Sequence, residues 1–172
     1  MVDAMLSDDD FQQVAELLGR EPRGLQAIPV RRPDGSPAVL QVASLVDSKP
    51  FPTLYWLVDK TINYGVDRLE AGGFIAELQA RVDLSEAYKA RLVRDHQAYI
   101  ARRQSFMSEK DKQEVARLGF TEPLEKRGIG GIENFNRIRC LHTYYAAHLV
   151  EPNLVGEWMD QHWAEQGFHF DL

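Results

Sequence analysis

The spacing of apolar residues changes along the chain and divides it into a short helix, a β-rich part and a long helical part. Behind Ser7, residues 8–18 carry apolar side chains three or four positions apart, which predicts a capped amphipathic helix. Residues 25–46 alternate apolar and polar positions around the turn sequence PDGS, which predicts a β-hairpin. Pro29 lacks a backbone donor, so the first strand of that hairpin should lie at a sheet edge or be interrupted.

A helical period governs the rest of the chain after a short aromatic segment. Residues 51–57 are dense in large apolar side chains, which favours a core strand. Polar caps and terminal glycines then predict helices at residues 60–71, 74–82, 86–107, 109–118 and 154–165. Residues 120–126, which contain Pro123, are expected to form a loop, and a further helix is expected to carry residues 135–149.

The pattern as a whole predicts a single α+β domain over residues 1–172. It should be predominantly helical, with an N-terminal β-hairpin or small antiparallel sheet. Its expected parts are an N-terminal helix and connection (1–24), a β-rich part (25–58), a helical part (59–166) and a tail (167–172). A chain of 172 residues can bury roughly two-thirds of its unfolded surface in one core.

Composition and charge argue against several classes of protein, among them nucleic-acid-binding, disulfide-bonded and membrane-spanning proteins. The net charge of -6 argues against nucleic acid and anionic membranes as partners. Cys140 is the only cysteine, so no intramolecular disulfide can form. No apolar run approaches the ~20 residues that span a bilayer, and the N-terminus lacks the features of a signal peptide. The sequence therefore predicts a cytoplasmic protein.

Two polar residues interrupt the apolar face of the helix expected at residues 86–107. His96 and Arg103 both fall in the middle of that face. A buried arginine needs an anion, because an unpaired buried charge is costly. The anion could be a carboxylate such as Glu70 or Glu133, or the phosphate or carboxylate of a ligand. A snorkelling side chain whose head reaches water is the remaining alternative.

The sequence RGIGGIENF places three glycines beside basic residues. Gly128, Gly130 and Gly131 match neither a P-loop, which needs Gly-Lys-Ser/Thr, nor the dinucleotide-binding Gly-x-Gly-x-x-Gly. Glycines still let a backbone approach an anion, and Arg127 and Arg137 would add positive charge. The loop therefore predicts an anion site, with a closely packed glycine-rich connection as the equal alternative.

The helix expected at residues 135–149 separates its polar side chains onto two faces. His142 and Tyr145 fall on its apolar stripe, whereas Cys140 falls on the opposite side. Residues two apart diverge by about 200° on a helix, so Cys140 and His142 should not share a metal there, and no metal site is predicted. A metal would need ligands from elsewhere or a break in the helix. If this stripe faces that of residues 86–107, five side chains converge: His96, Tyr99, Arg103, His142 and Tyr145.

Several segments carry a resemblance to a known family. They are PFPTLYWLVDKTINYGVDRLEAGG, HQAYIARR, RGIGGIENFNRIRCLHTYYAAHL and NLVG. From about Leu25 to Gly156 the chain resembles the bacterial domain-of-unknown-function 501 family, and the third segment is the most specific. The resemblance implies no particular activity or cofactor. Some relatives have Cys-Pro where this chain has Val58 and Asp59, so a two-cysteine metal or redox site is not implied here.

The leading functional expectation is binding of a small anionic or phosphorylated metabolite, with turnover left open. The residues expected to hold it are Arg103, Arg127, Gly128, Gly130, Gly131, Tyr99, Arg137 and Tyr145. His96 and His142 are the candidates for a catalytic acid or base, because imidazole titrates near neutral pH. The sequence indicates no specific cofactor, and whether the protein is an enzyme stays open.

The alternative is a non-catalytic interaction protein or a homo-oligomeric scaffold. Its contact surface could be formed by Trp56, Trp158, Trp163 and the aromatic tail at residues 168–170. An exposed aromatic patch without a polar cleft would favour this class. A cleft around the histidines and the arginine would favour a ligand-binding protein.

Overall fold

The computed structural model describes residues 5–172 and confirms the α+β class; the first four residues of the predicted N-terminal part lie outside the described residues. The elements are α1 Asp8–Leu18, β1 Leu25–Arg31, β2 Pro37–Val42, β3 Leu45–Val46, β4 Lys49–Pro50, β5 Tyr55–Leu57, α2 Lys60–Ala71, α3 Phe74–Asp83, α4 Glu86–Ser105, α5 Glu109–Arg117, α6 Thr121–Lys126, α7 Leu141–His148 and α8 Leu154–Glu165. A 3-10 turn at Ile129–Gly131 stands between α6 and α7. Within the described part, no helix has the length and apolar character needed to cross a bilayer.

The sheet is antiparallel, with β2 in the centre and β1 and β5 at its edges. The predicted hairpin is confirmed as β1 and β2, and the Arg32 amide closes its turn by donating to the Ser36 carbonyl. Pro29 lies in β1, which is an edge strand, and the pairing of β1 with β2 is irregular. Of the aromatic segment, Tyr55–Leu57 forms the paired strand β5.

Five predicted helix caps are present, and each one fixes where its helix begins. The side chains of Ser7, Asp59, Ser85, Ser108 and Asn153 each accept a hydrogen bond from a backbone amide in the first turn that follows. These bonds satisfy amides that have no acceptor within the helix itself. Local sequence therefore sets the starts of α1, α2, α4, α5 and α8.

One main core lies between the sheet and the helices, and α7 packs along β5 and against α8. Trp158 and Trp163 belong to this core, with only 8% and 6% of their surface exposed. The expectation that these two tryptophans help to form an exposed aromatic surface is therefore wrong. Phe168, in the tail, remains 43% exposed.

Residues 121–126 form the helix α6, although Pro123 predicts a loop there. Pro123 is the third residue of α6, within the first turn, where backbone amides have no intrahelical acceptor. The missing amide of proline therefore costs this helix no hydrogen bond.

The helix that follows the glycines is much shorter than its pattern predicts, because α7 begins only at Leu141. Gln79, from α3, accepts a hydrogen bond from the Ile138 amide at 2.9 Å and donates to the Asn136 carbonyl at 2.8 Å. Glu70, from α2, accepts from the Leu141 amide at 2.7 Å. These side chains give the backbone partners that replace helical hydrogen bonds, so residues 132–140 stay extended or turned.

Candidate functional site

His96 is fully buried and connects the glycine loop to α7. The Ile129 amide donates to its Nδ1 at 3.0 Å, so the proton of the neutral ring is on Nε2. Nε2 donates to the Tyr144 hydroxyl at 3.0 Å, and that hydroxyl donates to the Arg137 carbonyl at 3.3 Å. Burial lowers the pKa of His96 to about 4. Both nitrogens are therefore used by the protein itself, and the ring is not presented to a ligand as a catalytic acid or base.

Arg103 is fully buried, and backbone carbonyls take the place of the expected anion. Its guanidinium donates to the carbonyls of Pro52 and Arg127, each at 2.6 Å, and to that of Leu124. Leu124 lies in the last turn of α6 and Arg127 is its C-cap, where free carbonyls and the helix dipole favour a cation. The predicted carboxylate or ligand partner of Arg103 is thus replaced by the end of a helix.

Tyr99 supports the same region from α4. Its hydroxyl accepts a hydrogen bond from the Leu54 amide at 2.6 Å, and the Arg103 guanidinium lies 5.7 Å from the centre of its ring. The residue is only 6% exposed, and its hydroxyl is used to position the entry of β5.

The glycine loop uses its amides internally. The Gly128 amide donates to the Ile132 carbonyl at 2.9 Å, and the Gly131 amide donates to the Gly128 carbonyl at 3.0 Å. A Cβ atom on Gly128 would lie 2.3 Å from His96 Nδ1, so this glycine is needed for close packing. Gly130 and Gly131 have φ values of 70°, in the left-handed region that favours glycine. The closely packed connection, the alternative to an anion loop, matches this geometry.

The remaining predicted ligand-binding residues lie apart from one another. Arg127 is exposed, with its Nε 3.5 Å from a carboxylate oxygen of Glu133. Arg137 is exposed as well. The Tyr145 hydroxyl donates to Asp160 on α8 at 2.8 Å. The predicted convergence of five side chains is therefore wrong. Because α7 starts late, Tyr144 contacts His96 and His142 faces α2.

His142 instead meets three reactive side chains at the surface. On one side of its ring, Nδ1 lies 3.3 Å from Glu70 Oε1 and 3.7 Å from Cys140 Sγ. On the other side, Nε2 lies 3.1 Å from Asp67 Oδ1. One donor atom each from Glu70, Cys140 and His142 lie within 4.8 Å of one another. These three residues, with Asp67 behind the imidazole, are called the Cys140 cluster below.

The Cys140 cluster forms because Cys140 is the N-cap of α7 and not part of the helix. Its φ and ψ are -67° and 113°, an extended conformation, so the 200° separation expected within a helix does not apply. The geometric reason for excluding a shared metal is therefore wrong. Glu70 is fixed by the Leu141 amide, and the carbonyl of Cys140 accepts from the Thr143 hydroxyl at 2.8 Å.

Charge is concentrated in the Cys140 cluster. The Cys140 thiol, with smaller contributions from Glu70 and Asp67, raises the pKa of His142 to about 9 against the opposing effect of burial. The hydrogen bond to His142 in turn lowers the pKa of the Cys140 thiol. Cys140 is exposed and His142 is partly exposed, so the cluster can be reached from solvent.

An open groove lies next to His142. It has a volume of about 320 Å³ and runs between α7, β5 and the end of α1; its lining residues are Leu18, Thr53, Tyr55, Trp56, Leu57, Val58, His142 and Thr143. Most of these side chains are apolar, whereas His142 offers a polar group at one wall. The arrangement of one polar centre beside an apolar groove suits a small organic ligand.

Sequence reasoning missed Asp67 and Glu70 as site residues. They lie three positions apart on α2, so they share one face of that helix, and this spacing is visible in the sequence. Their partner His142 lies more than 70 positions along the chain, and nothing local indicates that α2 and α7 meet.

A known protein family covers both the buried residues and the exposed cluster. The model of the family described as protein of unknown function, DUF501, matches residues 28–161. The chain belongs to the DUF501 family. No curated protein and no solved structure matches this chain. The DUF501 region contains His96, Arg103 and the whole Cys140 cluster, so the buried supports and the surface site are parts of the family domain.

Proposed function

We propose that the protein binds a divalent transition-metal ion through Glu70, Cys140 and His142, and that this metal anchors a small anionic metabolite. The observation that carries the proposal is the approach of a carboxylate oxygen, a thiol sulfur and an imidazole nitrogen to within 4.8 Å of one another. Thiolate, imidazole and carboxylate are the three ligand types that zinc takes in proteins.

Two of the three separations between donor atoms match those around a single ion, and the third is no more than 4.8 Å. Zinc bonds of about 2.0–2.3 Å at tetrahedral angles place neighbouring ligand atoms about 3.3–3.8 Å apart. His142 Nδ1 lies 3.3 Å from Glu70 Oε1 and 3.7 Å from Cys140 Sγ. Small side-chain rotations are therefore enough to bring the three atoms around one metal.

Asp67 supports this assignment from behind the imidazole. Metal-bound histidines usually donate their second nitrogen to a carboxylate, which fixes the tautomer and the ring orientation. His142 has this arrangement, with Nδ1 toward the other donors and Nε2 at 3.1 Å from Asp67 Oδ1. Asp67 would then be a positioning residue and Nδ1 the metal-binding atom.

A metal held by three side chains keeps a fourth position open for water or a ligand. An anion would be attracted there, and the neighbouring groove could hold its organic part. The expected anionic metabolite stays in this proposal, with the metal in place of the buried Arg103 and His96 as its anchor. Polarisation of the ligand by the metal is the chemistry that would allow turnover.

Metal titration of the full-length chain, first stripped with a chelator, tests the proposal. We expect one Zn²⁺ per chain by calorimetry and native mass spectrometry. Bound Co²⁺ should show the near-ultraviolet absorption of a cobalt–thiolate bond. Cys140→Ser should lose that absorption, and His142→Gln should weaken binding by at least tenfold, whereas His169→Gln in the exposed tail should bind as the wild type does.

Two results would contradict the proposal. One is the absence of a stoichiometric metal in the wild type, and the other is equal affinity in the wild type and in Cys140→Ser. The anionic ligand is tested separately by thermal shift with phosphorylated metabolites, which should stabilise the metal-loaded chain more than the stripped chain.

The alternative of an interaction or scaffold protein has less support. Of the three tryptophans expected to form its contact surface, Trp158 and Trp163 are buried in the core and Trp56 is half-buried. The exposed part of the aromatic tail is centred on Phe168, which packs against Phe170 at 4.9 Å between ring centres. A concentration-dependent mass in solution would favour this alternative.

A further inference from the structure

A polar cavity lies between α4 and the connection from α7 to α8, and Tyr55 of β5 lines it as well. Its volume is about 90 Å³, and its polar lining residues are Tyr55, Asp95, Tyr99, Arg102, Glu151 and Asn153. The cavity is smaller than the 300–1,000 Å³, roughly, of a typical metabolite pocket, so it admits one small polar group and not a nucleotide.

The Tyr55 side chain brings an unpaired hydroxyl to this cavity. The residue is only 2% exposed, and its hydroxyl has no hydrogen-bond partner among residues 5–172. Burial raises the pKa of Tyr55 to about 12, while the charge of Arg102 and, to a smaller extent, the approach of its guanidinium to the hydroxyl act in the opposite direction. A buried hydroxyl of this kind normally has a partner, because losing its hydrogen bond to water costs free energy.

Most of the other polar groups in the cavity already have partners. Asp95 accepts from Arg91 Nε at 3.0 Å and from the Leu154 amide at 2.8 Å. The Asn153 side chain donates to the Tyr144 carbonyl and accepts from the Gly156 amide, at 2.9 Å in each case. The Asp95 and Asn153 side chains therefore fix the backbone that lines the cavity, and a ligand would have to bind to other residues.

Arg102 provides the available charge. Its Nε lies 2.7 Å from Glu151 Oε2, and Glu151 is the one carboxylate paired with it in the described part of the chain. The side chains of Arg102 and Glu151 are 38% and 46% exposed, so water screens their pairing and a competing anion can displace it. The groups free to bind are thus the Tyr55 hydroxyl and the Arg102 guanidinium, and both are hydrogen-bond donors.

We propose that this cavity binds a small oxyanion, a single carboxylate or phosphate group, through the Tyr55 hydroxyl and the Arg102 guanidinium. The ligand accepts a hydrogen bond from Tyr55 and competes with Glu151 for Arg102. The site is distinct from the Cys140 cluster and needs no metal, so it does not depend on the proposed metal function.

Titration of chelator-treated full-length protein with inorganic phosphate and with acetate tests this site, and the two titrations separate the two ligand types. At least one anion should raise the Tm of the wild type and bind by calorimetry. The same response is expected in Cys140→Ser, which removes the proposed metal site. Failure of metal binding and failure of oxyanion binding can therefore be told apart.

Point variants separate a ligand site from a structural role. Tyr55→Phe should weaken oxyanion binding about tenfold without lowering the Tm of the free protein, because it removes a hydroxyl that has no partner in the fold. Arg102→Gln should abolish binding, and Glu151→Gln should strengthen it by releasing Arg102. Arg94→Gln, an exposed change on the same helix, should leave binding unchanged.

The proposal is overturned if neither anion stabilises the wild type, or if Tyr55→Phe binds as tightly as the wild type. It is also overturned if Glu151→Gln weakens binding, since the Arg102–Glu151 pair would then be part of the structure that holds the anion and not a competitor of it.

Discussion

His96 Nε2 lies 3.0 Å from the Tyr144 hydroxyl, and this buried contact joins α4 to α7. The other ring nitrogen takes the Ile129 amide at 3.0 Å, so a single side chain fixes both the glycine loop and the helix that follows it. Cys140 and His142, two members of the Cys140 cluster, lie between these two points in the chain. The geometry of the cluster therefore depends on a histidine that does not contact it.

Acid should destabilise the protein through His96. The pKa of this residue is about 4 in the fold, below its ordinary value of 6.5, so the unfolded chain takes up the proton first. The stability from the neutral ring is fully present above about pH 6.5 and is lost as the pH falls toward 4. Between about pH 7 and about pH 5 the contribution of His96 to the free energy of unfolding should fall by about 2 kcal/mol.

Urea unfolding of the wild type and of His96→Gln at the two pH values checks this prediction. Glutamine does not titrate, so the variant should show a smaller loss between them, whatever its stability at neutral pH. Equal pH dependence in the two proteins would mean that other groups cause the acid effect.

Gly128→Ala should destabilise the fold by about 1–3 kcal/mol, because the new methyl group enters occupied space. Its Cβ would lie 2.3 Å from His96 Nδ1 and 2.8 Å from His96 Cγ. Gly72→Ala is the matched control, since Gly72 has a φ of -78° and its nearest contact would be 3.2 Å away. Thermal and urea unfolding compare the two, and similar losses in both would show that Gly128 is not needed for packing on His96.

Arg103→Met should cost about 3 kcal/mol or more, because it leaves three backbone carbonyls, one fully buried and two partly buried, without their donor. Methionine has similar length and fills the space of the side chain, so the loss would come mainly from the hydrogen bonds. Arg94→Met, at an exposed position of the same helix, should change the free energy of unfolding by no more than about 0.5 kcal/mol. A loss as small in Arg103→Met would show that the carbonyls find other partners.

Structural features that depend only on residues close together in the chain could be predicted from the sequence. Ser7, Asp59 and Asn153 lie within three residues of the amides that they cap, and the turn between β1 and β2 is equally local. The burial of His96 and Arg103 also followed from the helical period. Local spacing thus predicted the α+β class, most helix starts and the burial of His96 and Arg103, whereas His142, also predicted on an apolar face, lies at the surface.

Partners that come from distant parts of the chain could not be predicted. The period shows that Arg103 is buried but does not distinguish a carboxylate partner from the carbonyls at the end of α6. Gln79 donates a hydrogen bond to the Asn136 carbonyl and accepts one from the Ile138 amide, and the helical pattern of that segment does not indicate these bonds. That tertiary contact delays the start of α7, and the delay is what brings Cys140 and His142 together.

Asp67→Asn should weaken metal binding by about tenfold to a hundredfold, while a metal at saturation still has its thiolate ligand. Asp67 is not one of the three proposed ligands. It lies 3.1 Å from His142 Nε2, where its negative charge would hold the ring and make Nδ1 a better donor to the metal. The amide of asparagine keeps the shape and loses the charge, so Co²⁺ should give the wild-type cobalt–thiolate absorption at a higher metal concentration. Glu70→Gln, which alters a proposed ligand, should weaken binding at least as much.

The exposed helical carboxylate Glu125 is the control, and Glu125→Gln should bind metal as the wild type does. If Asp67→Asn also binds as the wild type does, then Asp67 does not orient His142 and its contact with the ring is only a surface ion pair. If Asp67→Asn loses the cobalt–thiolate absorption even at saturation, then Asp67 itself binds the metal and the assignment of His142 Nδ1 as the metal-binding atom is wrong. An intermediate affinity with unchanged absorption is the result that places Asp67 behind the imidazole.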